Sequence, residues 1–313
     1  MNNRILPYLV LFIVGLGGAY WASVPKGKSS KGQLWLNLEG KIKEVQYIGD
    51  SVEVLVDIPN RWIEVNPTGD STAKRQVFKA GKTLDDVLKG LEKIYAIKVI
   101  GSLKDIDSKE YGLENSKTRL DVVTEETKYS FDVGKRSFQT SNVFLHDSNR
   151  KEVILASRNA INLLRNAKAR LYERSPIDFK LNDNVSLVKV RRGGDSIEIE
   201  KKGKDDKGKL LWKRKDKEQP SQDLGSWLNK VVKLQAKKYA DPKHRQDFDK
   251  LSVILEASFF DREKSVDTIK IVKREKGKEK FEYWLTSSYV GSYVLLDGNR
   301  AKTLIQDFQN LIL

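Results

Sequence analysis

Few residues in this sequence have the type and spacing that catalysis or metal binding would need. There is no cysteine among the 313 residues, which removes disulfides, thiolate metal sites and cysteine nucleophiles. The two histidines, His146 and His244, stand far apart. Neither has a metal-ligand spacing, and each reads as a surface histidine. The nearest thing to a carboxylate pair is Asp50 and Asp195, each in a Gly-Asp-Ser turn. Such a pair could do acid–base work if the turns faced each other. Asp before Ser at a hairpin turn more commonly bonds its own backbone, and that reading is preferred. No Gly-rich turn ends in Gly-Lys-Ser/Thr, so there is no P-loop. No Gly-x-Ser-x-Gly nucleophile elbow occurs either. The residues point to a non-enzymatic protein with no cofactor and no metal.

Charge is the chemistry that remains. The formal net charge is +15, which suits an anionic partner and says nothing of fold. Two clusters carry much of it. One comprises Lys201, Lys202, Lys204, Lys213, Arg214 and Lys215, around Trp212. The other comprises Lys273, Arg274, Lys276, Lys278 and Lys280. Basic strips beside an aromatic ring can bind single-stranded nucleic acid. Acids and glycines interrupt both clusters, which therefore read as solvated hairpin tips. They are candidate anion-binding residues, with lipid heads or envelope polymers favoured over nucleic acid. Trp62, Trp212, Trp227 and Trp284 fall in strand or helix patterns and are expected in the core.

The elements that hold these residues begin with an uncharged stretch, residues 5–24, after a short tail of residues 1–4. Its roughly 20 residues are long enough for a transmembrane helix. Pro7 sits near its start, and Tyr20 and Trp21 sit near its end, as at a membrane interface. A cleaved signal peptide is the rival, but Tyr20 or Trp21 would occupy the −3 position of the cut, where small residues belong. A retained anchor is expected. Gly15, Gly18, Ala19 and Ala22 share roughly one face and are candidate membrane-helix packing residues. Flanking charge favours a cytoplasmic bulk, although long domains translocate regardless of such charge. Residues 25–33, rich in Lys, Gly and Ser, read as a linker.

The rest of the chain repeats itself. GDSVEV at 49–54 returns as GDSIEI at 194–199, each a turn followed by alternating apolar residues. A tryptophan strand, a proline and a helix follow in both places. Thr83 and Ser221 are the expected N-caps. Strands are then predicted over 120–123, 129–133, 142–145 and 153–156, with a helix over 157–172. Their counterparts are 251–257, 268–273, 281–286 and 293–296, with a helix over 299–312. The expected class is α+β: an N-terminal transmembrane helix followed by a tandem duplication of antiparallel-sheet-plus-helix subdomains, 34–174 and 175–313.

Several segments resemble a bacterial domain-of-unknown-function family, DUF family 4340. They are the Trp62-to-Pro67 element, the helix end at Leu91 to Lys93, Glu110-Tyr111-Gly112-Leu113-Glu114, and Phe131-Asp132-Val133-Gly134. Ser116 and Lys117 stand where the family usually has a proline. The resemblance implies a membrane anchor and a role beside gliding-motility type ABC transporter components. It implies no catalytic residues. The expectation is a bacterial inner-membrane, single-pass accessory or scaffold with its bulk on the periplasmic or outer face. Its partner would be an integral-membrane or envelope protein. The alternative is a tethered module binding an anionic envelope polymer or lipid surface.

Overall fold

The computed structural model describes residues 32–69, 73–138, 142–277 and 280–312. The first part of the chain gives β1 (Gln33–Asn37), β2 (Ile42–Ile48), β3 (Val52–Asp57), β4 (Trp62–Pro67) and β5 (Gln76–Lys79). Helix α1 (Leu84–Glu92) and β6 (Lys93–Ser102) come next. Then follow β7 (Arg119–Thr124), β8 (Lys128–Arg136), β9 (Asn142–Asp147), β10 (Glu152–Ser157) and α2 (Asn159–Arg165). The second part gives β11 (Leu187–Arg192), β12 (Asp195–Lys204), β13 (Leu210–Arg214), α3 (Gln222–Val232) and β14 (Lys238–Tyr239). It ends with β15 (Val253–Asp261), β16 (Lys264–Glu275), β17 (Phe281–Thr286), β18 (Tyr293–Leu295) and α4 (Gly298–Ile312).

The strands form two antiparallel sheets. The first has ten strands in the order β5-β4-β3-β2-β7-β8-β9-β10-β6-β1, and the second has eight, β13-β12-β11-β15-β16-β17-β18-β14. From β4 to β6 the first order matches the second from β13 to β14, strand for strand. In each, the strand leaving the first long helix returns to pair with the last strand before the second.

Alternation places one face of each strand inward. Val54 and Val56 on β3, Leu120 and Val122 on β7, and Phe131 on β8 are buried, as are Ile197 and Ile199 on β12. The helices lay apolar stripes on these faces. Leu84, Val87 and Leu91 line α1; Leu224, Trp227, Leu228 and Val231 line α3. Trp227 satisfies its indole by donating to the Leu304 carbonyl at 2.9 Å, with its ring 5.1 Å from Phe308. One continuous apolar core runs through both sheets, with a smaller cluster around Phe248 and Trp284.

The expected α+β class is corrected to a strand-dominated fold of two antiparallel sheets. The sequence reading missed β1, β5, β6 and β14. Strand β6 starts at Lys93 directly after α1 ends at Glu92, so no glycine or proline marks the switch. The single-pass anchor and its inner-membrane placement are not supported by the described residues. Among the described residues no helix is long and apolar enough to cross a membrane. The longest, α4, has 15 residues, about 22 Å at helical rise, against a hydrocarbon core of about 30 Å. Residues 5–24, with Gly15, Gly18, Ala19 and Ala22, lie outside the described residues.

The two helix caps also differ. Ser221 caps α3, its Oγ accepting from the Asp223 N–H at 3.2 Å. Thr83 is helical in its own backbone and makes no cap. The chain enters α1 through tight turns, with Leu84 N–H on the Gly81 carbonyl and Asp85 N–H on the Lys82 carbonyl.

The sheets meet along a seam where β5 and β14 lie side by side. Residues 171–174 thread between them. Gly81 N–H donates to the Leu171 carbonyl at 2.8 Å, Glu173 N–H to the Lys79 carbonyl at 2.9 Å, and Ala236 N–H to the Arg174 carbonyl at 2.8 Å. Tyr239 stacks edge-on with Trp62 and with Tyr172, and its hydroxyl donates to the Glu173 carbonyl at 3.1 Å. Tyr289 donates to the Glu173 carboxylate at 2.9 Å, and the Ser287 hydroxyl to the Pro176 carbonyl at 2.6 Å.

Arg75 is the charged clasp of the seam. It holds Glu64 on β4 through two bonds of 2.6 and 2.7 Å and reaches across to Asp241. The Arg75 bonds hold the Glu64 carboxyl below its ordinary range. A depressed carboxylate adds stability above its unfolded pKa, near 4.3 for Glu, and loses it as pH falls through the folded value. Replacing Arg75→Gln should cost about 0.5–1 kcal/mol at pH 7, the range of partly exposed pairs. The loss relative to wild type should shrink below about pH 4. Urea unfolding at pH 7 and pH 3.5 checks both.

Candidate functional site

Two stretches noted in the sequence for different reasons come together at one cavity. The first is the β2–β3 turn, 49–51. Gly49 N–H donates to the Val52 carbonyl at 2.8 Å, and the Thr68 hydroxyl reaches the Gly49 and Asp50 carbonyls. Tyr47 folds back over this turn: a Cβ on Gly49 would stand 2.9 Å from its hydroxyl. The second is the end of β8, Val133 to Arg136. It is fixed by the loop that carries Tyr111 and Leu113. Lys135 N–H donates to the Tyr111 carbonyl at 2.9 Å, and the Ser116 hydroxyl to the Val133 carbonyl at 2.8 Å. Gly112 takes φ +67, and the backbone of Gly134 passes so close to Tyr111 that a Cβ would lie 2.4 Å from its carbonyl oxygen. A side chain at Gly134 would push the loop away.

Between these stretches and helix α2 lies a cavity of about 230 Å³. Lys135, Arg136, Arg158 and Arg165 line it, with Asp50 the single acid among its described lining residues. Arg158 and Arg165 are seven residues apart, two turns of helix, and so project from the same side. Among the described residues no ion pair engages Lys135, Arg158 or Arg165. Burial pushes the Tyr47 hydroxyl above the ordinary tyrosine range; Arg165 draws it down, Asp50 raises it and Arg158 draws it down. The geometry suits a compact anion held by charge-assisted bonds.

The basic residues singled out in the sequence lie elsewhere, on two hairpins of the second sheet. Lys202 and Lys213 share Glu200 at 2.8 and 3.5 Å, and Lys215 pairs with Glu198 at 3.0 Å. Arg214 forks onto Asp216 and also donates to the carbonyls of Leu311 and Ile312 at the end of α4. Lys201 donates to the Asn182 carbonyl, and Lys204 is exposed at the end of β12. On the other hairpin Lys276 pairs with Glu282 at 2.7 Å. Lys273 lies 3.4 Å from the centre of the Phe281 ring, and Arg274 sits over Phe248. Lys280 is exposed, and Lys278 lies outside the described residues. Strands β11 and β15 separate β12 from β16, so the hairpins do not make one patch.

Asp50 and Asp195 sit at turns of different sheets. His244 is exposed beside Asp247. His146 is buried, contrary to expectation, with Nδ1 3.0 Å from Asp132 across the β8–β9 pair. Trp212, Trp227 and Trp284 are buried in the core, and Trp62 packs against it. Among the described residues no group of three or more His, Asp or Glu could hold a metal ion.

With this geometry in hand, a family model described as domain of unknown function (DUF4340) matches residues 72–251. That is more than half of the chain. The chain belongs to the DUF4340 family. No curated protein and no solved structure matches it. The DUF4340 match takes in the Tyr111 loop, the end of β8, helix α2 and the seam connector, so it spans most of the cavity wall and both sides of the seam. Gly134→Ala should lower stability by about 1–3 kcal/mol, the usual cost of overpacking, and release the Tyr111 loop. Urea unfolding together with amide exchange of residues 108–118 measures both effects.

Proposed function

We propose that this protein is a non-catalytic binding module whose basic cavity docks a compact anionic group, displayed on an anionic polymer. The observation that carries the reading is the convergence of Lys135, Arg136, Arg158 and Arg165 on one cavity with a single acid among its described lining residues. The glycine-locked loop beside it holds the backbone of the site in place before any ligand arrives, which lowers the ordering cost of binding.

A second reading is favoured by a different feature. Leu34 on β1 and Tyr95, Ile97 and Val99 on β6 are exposed apolar side chains at one end of the ten-stranded sheet. Clustered exposed apolar groups commonly mark protein contacts. The chain would then act as an accessory docked on a protein partner, a transporter component being the one that the family resemblance implies.

Heparin, a sulfated polysaccharide, serves as the probe. Its affinity should fall steeply with added salt, because exposed charge pairs are screened. Arg158→Gln with Arg165→Gln should weaken it about tenfold or more, since bonds to charged groups contribute roughly 1.5–3 kcal/mol each. Lys276→Gln, on a hairpin tip, should leave it unchanged. Fluorescence anisotropy across a salt series reads all three. Binding insensitive to salt, or equally weakened by Lys276→Gln, would exclude the cavity as the binding site.

A further inference from the structure

A second cavity, of about 430 Å³, opens at the seam. Neither sheet builds it alone. Lys168, Tyr172 and Arg174 come from the end of the first half and the connector, Lys237 from the stretch before β14, and Asp297 and Arg300 from the start of α4. Four cations face one carboxylate, and that carboxylate is already engaged. Asp297 takes Lys237 at 2.6 Å and the backbone N–H groups of Asn299 and Arg300 at 3.1 Å. Among the described residues Lys168, Arg174 and Arg300 have no ion-pair partner.

Tyr172 stands in the same wall. Its hydroxyl is enclosed and makes no hydrogen bond, whereas the other seam tyrosines, Tyr239 and Tyr289, are both satisfied. A buried hydroxyl without a partner is costly, and natural folds seldom leave one. Burial pushes this hydroxyl up to about 12, with the Arg174 guanidinium pulling against that rise. With no surface open to the cavity, that hydroxyl does not meet a ligand there; the unpaired cations do.

We infer that the seam cavity binds a small phosphate-bearing molecule, whose oxygens neutralise Lys168, Arg174 and Arg300. Its volume lies in the range of small-molecule sites and exceeds what a lone anion fills. Because the wall is drawn from both halves, occupancy fastens one half to the other.

Calorimetric titration of the full chain with pyrophosphate, at low ionic strength and without metal ions, tests this. Wild type should bind, and its melting temperature should rise with pyrophosphate concentration. Arg174→Gln with Arg300→Gln should abolish the binding heat. Tyr172→Phe should leave the affinity unchanged, because the enclosed hydroxyl has no surface open to the cavity. Its melting temperature without ligand should be no lower than that of wild type, because the deleted hydroxyl bonds nothing. The Arg174/Arg300 variant should also keep the wild-type melting temperature without ligand, since both side chains are exposed, and that separates lost binding from lost folding. Arg158→Gln with Arg165→Gln should leave pyrophosphate binding unchanged, which keeps this site distinct from the basic cavity on the first sheet. Absence of binding by wild type, undiminished affinity in the Arg174/Arg300 variant, or loss of binding in the Arg158/Arg165 variant would each overturn the inference.

Discussion

The arrangement of the whole molecule rests on four residues of connector, 171–174, whose backbone is bonded to both sheets. Leu171 and Glu173 bond the end of the first sheet, and Arg174 bonds the chain leading into β14. Backbone groups buried between two sheets must be paired, so this strip leaves little freedom in how the sheets are set. The aromatic side chains around it, Trp62, Phe78, Tyr172 and Tyr239, fill the space that the strip leaves open. Arg75 closes the outside of the joint. The continuity of the apolar core across both sheets follows from this joint.

Much of the strand framework was readable, because strands such as β8 and β12 alternate cleanly between apolar and polar residues. Such alternation survives translation into structure when one face is buried and the other wet. The strands that escaped were of another kind. In β6 the alternation fails after Ile97, where Lys98 and Val99 are both exposed, and the register against β10 shifts twice. Irregular pairing of this sort erases the two-residue period. Strand β14 has two residues and no pattern at all. Thr83 looked like a cap by type and position, yet the turn that precedes α1 places its backbone inside the helix.

The basic cavity was hidden for a different reason. Its cations come from β8 and α2, and in sequence they are dilute beside the dense lysine runs at 201–217 and 273–280. Density proved a poor guide. The runs sit on hairpins where Glu198, Glu200 and Glu282 answer several of their charges across the ladder, while the sparse residues meet around one hollow. The one signal available was the seven-residue interval between Arg158 and Arg165, which sets both on the same side of α2.

The placement of β5 against β14 also bears on solubility. An open sheet presents two rims of unbonded amides and carbonyls, and such rims recruit other chains. By bringing one rim of each sheet together, the protein leaves β1 and β13 as its outlying borders. A chain cut at the connector would bare the borders now tucked inward, along with the aromatic rings beside them. Sticky fragments, rather than two tidy folding units, are what such a cut would yield.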